Sequence, residues 1–132
     1  MGKLDLLLLS LCFLMIGCNL LDANKSRYSY DVLYVDHVEV PDTLHLAQPL
    51  KVRVKGTMPD VSWSFDHFEI KAEGFNISIR PIGRKDNEME MVILILATFD
   101  ETATIQLTQA GTYQVTLVGR DQDLKASVVV EP

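Results

Sequence analysis

The chain has 132 residues, 48% of them hydrophobic, and sets 12 Lys and Arg against 18 Asp and Glu for a formal net charge of −6. An acidic body is repelled by nucleic-acid phosphates and by anionic lipid headgroups, which excludes both as ligands of the folded part. Its two cysteines, Cys12 and Cys18, both lie near the amino-terminal end, so no disulfide framework staples the remainder and a hydrophobic core must suffice.

The first element is an apolar run from Leu6 to Ile16, broken only by Ser10 and preceded by Lys3. A bilayer span needs roughly 20 apolar residues in helix; this run has the length of a signal-peptide apolar region and predicts a secretory signal over residues 1–17. Asp5 is an acidic blemish in a head that is ordinarily basic. The run stops at Met15-Ile16-Gly17-Cys18, which resembles the lipobox of bacterial lipoproteins, with Met15 standing where Leu is commoner. That resemblance implies cleavage before Cys18 and acylation of its thiol. Each buried methylene contributes about 0.8 kcal/mol, so two or three acyl chains would hold the protein on a membrane almost permanently. It also implies outer-membrane sorting in a two-membrane bacterium, because Asn19 stands where Asp would be the inner-membrane retention signal. Cleavage there leaves residues 18–132, enough for one domain.

Residues 18–31 show no clear period and predict a flexible tether; if extended, Asn19 to Tyr30 reaches about 40 Å at roughly 3.4 Å per residue. From residue 32 to 132 the chain reads as a single all-β domain of about seven or eight short strands, with no convincing helical period. Residues 33–40, LYVDHVEV, form the first and end at the turn Pro41-Asp42-Thr43. LKVRVKG, 50–56, alternates Leu50, Val52 and Val54 inward against Lys51, Arg53 and Lys55 outward, and its predicted stop is Gly56. VSWSFDHFEIKAEG, 61–74, puts Val61, Trp63 and Phe65 on one phase and Phe68, Ile70 and Ala72 on the other, which predicts a bulge at Asp66-His67.

NISIRPIG, 76–83, places Ile77 and Ile79 on one face and is expected to stop around Pro81 and Gly83, with Arg84 to Glu90 as an exposed loop. MVILILATF, 91–99, is the most apolar stretch and predicts a central strand covered on both faces. ATIQL, 103–107, follows. GTYQVTLVGRD, 111–121, and LKASVVV, 124–130, predict a closing hairpin turning at Arg120 to Asp123.

This succession resembles the immunoglobulin-like antiparallel β-sandwich of small extracytoplasmic bacterial domains. Three stretches carry the resemblance: PDTLHLAQPLKVRVKG at 41–56, the Trp63 strand, and GTYQVTLVG at 111–119. They imply a fold and a location outside the cytoplasm, and no activity.

Candidate chemistry is sparse. His37, His45 and His67 fall on different predicted strands or turns, without the short-spaced pairing that zinc sites use. Asp36-His37 and Asp66-His67 repeat an acid-His dipeptide, but strand neighbours point to opposite faces, so neither is expected to form a local dyad. Asp121-Gln122-Asp123 lacks the Gly and closing Glu of a calcium loop and reads as a polar turn; Asp100-Glu101 reads as a turn and gatekeeper pair. No Gly-x-Ser-x-Gly and no phosphate-cradling glycine loop occurs, and Ser62, Ser64 and Ser78 sit inside strands. Asn76-Ile77-Ser78 matches a glycosylation sequon that carries little meaning in a bacterium. Trp63, Phe65 and Phe68 could stack on a carbohydrate but read as core. The LKASVVV strand is a candidate edge for strand addition, with Lys125 as a residue that would block it.

The site residues therefore reduce to one, Cys18 as lipid attachment, with no catalytic, cofactor-binding or metal residues and no cofactor. The expected function is a membrane-anchored, non-enzymatic binding or structural module of the cell envelope with a protein partner there. The second reading is an accessory subunit of a larger envelope complex, such as a transporter or adhesin, and an enzymatic or carbohydrate-binding domain ranks last.

Overall fold

The computed structural model describes residues 26–89 and 95–132. The signal segment, the lipobox with Cys18 and residues 91–94 of the 91–99 run lie outside the described residues.

Nine strands form in chain order: β1 Tyr28–Val32, β2 Tyr34–Glu39, β3 Thr43–His45, β4 Leu50–Met58, β5 Trp63–Glu73, β6 Asn76–Asp86, β7 Ala97–Ile105, β8 Gly111–Val118 and β9 Asp123–Glu131. No helix occurs among the described residues. The strands make a six-stranded sheet and a three-stranded sheet ordered β2-β4-β7. In the larger sheet β5 pairs with one edge of β6 along its length. The other edge of β6 is shared, β8 taking residues 76–79 and β1 taking 82–86. Beyond β8 lie β9 and then β3.

Alternation builds the core. In β4, Leu50, Val52 and Val54 are fully buried while Lys51 and Arg53 are exposed, as their period of two requires. They meet Phe99, Ala103 and Ile105 of β7 on the small sheet, and across the sandwich Ile77 and Ile79 of β6, Val115 and Leu117 of β8, and Val128 and Val130 of β9. Leu33 and Val35, each fully buried, join the two layers where β1 passes into β2. One apolar core thus serves both sheets, the two-layer solution expected of half-buried strands.

The all-β sandwich agrees with the sequence reading, and the finer connectivity differs from an antiparallel immunoglobulin arrangement. β6 runs parallel to β8, and β3 runs parallel to β9, so the larger sheet is mixed. One immunoglobulin-type device is present. Tyr113, near the start of β8 and buried, donates its hydroxyl proton to the carbonyl of Gln109 at 2.8 Å, with Phe75 edge-on at 5.1 Å. Tyr113→Phe is expected to keep the fold and lose about 1 kcal/mol, read from the urea midpoint, because it deletes one buried hydrogen bond.

Four expectations on element bounds need correction. β1 takes up Tyr28 to Asp31, so residues 28–31 belong to the sandwich rather than to the expected tether. Gly56 and Gly83 do not stop their strands; β4 runs on to Met58 and β6 to Asp86, absorbing Arg84 and Lys85 from the expected loop. The described end of the 91–99 run is also not a covered central strand. Ile95 and Leu96 are 59% and 77% exposed and lie outside any strand, while β7 begins at Ala97 and forms an edge of the small sheet. Asp100 and Glu101 consequently sit inside β7 rather than in a turn.

The β5–β6 hairpin turns through Gly74-Phe75 alone. Gly74 has φ +58° and Phe75 a negative φ, the sign pattern of a type II′ turn, whose first central position favours glycine.

Candidate functional site

A set of polar contacts joins the β8–β9 loop to the start of β2. The loop between β8 and β9 folds back on itself as the Gly119 N–H donates to the Gln122 carbonyl at 3.0 Å, and Gln122 Nε2 donates to the Val35 carbonyl at 2.9 Å. The Arg120 N–H donates to the Leu33 carbonyl at 3.0 Å. Its guanidinium faces two rings, Tyr34 at 5.5 Å and Trp63 at 5.6 Å, and reaches Asp31 at 3.8 Å. Cation–π contacts of this kind stabilise by about 0.5–1 kcal/mol at partly exposed sites. Trp63 is thereby held by its neighbours, and Phe65 and Phe68 pack on each other at 4.8 Å and on the core. These aromatics make core and rim; none presents a flat stacking platform.

The three histidines lie apart in the fold: His37 on β2 of the small sheet, His45 at the end of β3, and His67 on β5. Among the described residues no group of three or more His, Cys, Asp or Glu side chains could hold a metal ion. The exclusion of a local dyad at Asp66-His67 is overturned. His67 Nδ1 lies 2.6 Å from Asp66 Oδ2. The predicted bulge is the reason, since the register shifts between Phe65 and His67 and the extra residue no longer obeys strand alternation. A second register shift falls between Val35 and His37, so both acid-His dipeptides mark bulges. There the side chains separate, Asp36 accepting from Thr57 Oγ1 at 2.6 Å and His37 meeting Glu39 at 3.2 Å. The Asp66-His67 pair is exposed and lines none of the four surface depressions described below.

The outer face of the small sheet carries a charge network. Arg53 grips Asp100 through two nitrogens at 2.8 and 2.6 Å, and Glu39 lies 3.2 Å from His37, 3.5 Å from Arg53 and 3.7 Å from Lys55. The hydrogen bond from Arg53 holds the Asp100 carboxyl below its ordinary value of 3.8. For Glu39 partial desolvation acts upward, but the His37 hydrogen bond and the Lys55 and Arg53 charges outweigh it and set the carboxyl below 4.5. Carboxylates depressed in the folded state stabilise fully above their unfolded values, and that contribution fades as pH falls through the folded ones. The urea midpoint is therefore expected to fall on acidification below about pH 4.5, and Asp100→Asn to make that fall shallower by removing one such group. Exposed pairs of this type are individually weak, so the network reads as a solvated face.

Three surface depressions have volumes of about 170 to 200 Å³, below the roughly 300 Å³ at which ligand pockets begin. A fourth, of about 540 Å³, lies between Ser26–Ser29 and Asn87–Glu88, at the rim where the described residues stop. Ser62 is buried against Asp60, Ser64 and Ser78 lie on β5 and β6, and Asp121 and Asp123 flank the β8–β9 turn.

Sheet edges are the remaining candidate surface. The expected edge, LKASVVV, belongs to β9, which is paired with β8 along its length and covered by β3 at residues 129–131. The longest open edge is the eleven-residue β5, whose second side has no partner strand among the described residues. Its apolar phase was legible, but nothing in a single sequence states which strand ends up outermost. On the edge strand β7, Glu101 pairs with Val54 and so occupies an inward-facing position, a charge that discourages strand addition there.

Comparison with family models, with curated proteins and with solved structures finds no match to this chain.

Proposed function

We propose that the protein is a bacterial lipoprotein, anchored through acyl chains on Cys18 and presenting a non-enzymatic, immunoglobulin-like β-sandwich as a binding or structural module of the cell envelope. In a two-membrane host Asn19 directs it to the outer membrane. The observation that carries this reading is the position of Met15-Ile16-Gly17-Cys18 relative to the domain. Residues 19–27 alone separate the acceptor thiol from β1, a reach of about 30 Å when extended. The folded body then stands just clear of the headgroups, with an acidic surface they repel. Further support comes from the small volume of three of the four surface depressions and from the structural roles of Trp63 and Arg120, which favour faces and edges for contact with another protein.

Growth with a labelled fatty acid, followed by intact-mass measurement of the native product, tests the anchor. Label on the protein, a mass beginning at an acylated Cys18, and transfer of Cys18→Ala from the detergent phase to the aqueous phase are expected. A retained leader, or a free thiol at the new amino terminus, refutes it.

A further inference from the structure

We propose that the open edge of β5 pairs with β5 of a second copy, antiparallel about a two-fold axis at Ile70.

The backbone sets the phase. In a two-residue hairpin the flanking pair, here Glu73 and Asn76, is hydrogen-bonded, and antiparallel pairs then alternate. Glu69 and Lys71 therefore bond to β6, while the N–H and C=O groups of Phe68, Ile70 and Ala72 point away from it. An independent contact agrees: Phe68 pairs with Pro81, and the Pro81 carbonyl is turned to the far side, accepting from the Leu33 N–H at 2.9 Å. Three consecutive sets of unpaired backbone groups thus line the free edge.

The side chains set the register. The regular part of β5 runs from His67, just past the bulge, to Glu73 at the turn, and Ile70 is its centre. A two-fold axis there places Ile70 opposite Ile70 and Phe68 opposite Ala72 on the inner face. On the outer face it places Glu69 opposite Lys71 and His67 opposite Glu73, each twice. The inner-face pairs are apolar with apolar and Glu69 meets Lys71 as anion with cation; moving the axis by one residue would set Glu69 against Glu69, or Lys71 against Lys71. Like charges directly opposite destabilise a sheet, whereas opposite charges support it.

The free edge also leaves apolar surface uncovered. Ile70 is 40% exposed and Ala72 is exposed, although both take inward-facing positions, because the three-stranded sheet does not reach this corner. Lys71 and Glu73 make no ion pair among the described residues, and Glu69 reaches Arg80 only at 3.7 Å. The second copy would add about six backbone hydrogen bonds through the 68–72, 70–70 and 72–68 pairs. The interface is isologous, so it closes at a dimer.

The test is sedimentation equilibrium of the native protein in density-matched detergent, with reductant present so that no thiol cross-link contributes. A reversible monomer–dimer equilibrium is expected. Lys71→Glu should weaken it at least ten-fold by setting Glu against Glu69 twice, and the swap Glu69→Lys with Lys71→Glu should restore it. A monomer at every concentration overturns the proposal, as does a dimer indifferent to Lys71→Glu or a swap that fails to restore association. Far-ultraviolet circular dichroism of each variant checks that the sandwich is intact.

Discussion

Gly56→Ala is expected to destabilise the domain by about 3 kcal/mol or more, the upper end of what overpacking costs. A Cβ on Gly56 would lie 1.9 Å from the Tyr34 carbonyl oxygen and 2.5 and 2.7 Å from two ring carbons of Phe99. Phe99 is buried and stacked on Phe65 at 5.9 Å, so its ring has little room to retreat. The Tyr34 oxygen is harder still to move. It belongs to the backbone of β2 beside the bulge at Asp36, and shifting it would disturb the pairing of β2 with β4. Against a typical stability of about 5–15 kcal/mol, a loss of this size would leave a marginal domain. Gly74→Ala supplies the comparison. Nothing lies within 4 Å of a Cβ there, so only the positive φ opposes it, and the expected cost is about 1–2 kcal/mol. Urea unfolding with an unchanged slope would measure both. Equal costs for the two variants would mean that β2 does not hold its carbonyl over β4.

Gly56 also shows where sequence reasoning stopped short. The alternation in LKVRVKG identified which side chains face inward, and Leu50, Val52 and Val54 are fully buried. The same reasoning took Gly56 and Gly83 as strand ends, because glycine weakens a strand when nothing else is known. In the fold both lie inside strands at points where another part of the chain crosses closely. That closeness depends on residues far away in sequence, Tyr34 and Phe99 in one case, Leu33 and Trp63 in the other. No local pattern reports it.

The bulge at Asp66-His67 was legible because it leaves a mark on periodicity: the apolar phase changes between Phe65 and Phe68. Its consequence was missed, since the rule that adjacent strand residues point apart was applied at the one place where the chain was already expected to break it. The contact of His67 with Asp66 follows from the bulge itself. Edge position was not legible at all. Ile70 and Ala72 alternate as cleanly as Val52 and Val54, yet the first pair is exposed and the second is buried. The difference is the width of the opposing sheet, three strands against six, which sequence pattern does not encode.

Leu33→Ala is expected to lose about 3 kcal/mol, and Gly83→Ala is expected to lessen that loss when the two are combined. Leu33 is fully buried, and its backbone is fixed on both sides, its N–H donating to Pro81 and its carbonyl accepting from Arg120. Truncating the side chain leaves a cavity that the pinned backbone cannot collapse, the condition under which Leu→Ala changes are costly. Its atoms occupy the space that a side chain at position 83 would need: a Cβ on Gly83 would lie 2.3 Å from Leu33 Cδ2 and 2.9 Å from Cγ. Gly83→Ala in the parent should therefore be destabilising by about 1–3 kcal/mol through overpacking. In the Leu33→Ala background those two obstacles are gone, and the remaining near atom, Trp63 Cε3 at 3.1 Å, needs to yield only slightly. The added methyl then fills part of the cavity, so the double variant should cost less than the sum of the singles by about 1 kcal/mol or more, well outside the scatter of independent sites. Additivity within error would show that Leu33 is not seated against β6, and with it that β1 and β2 do not join the two sheets through this contact.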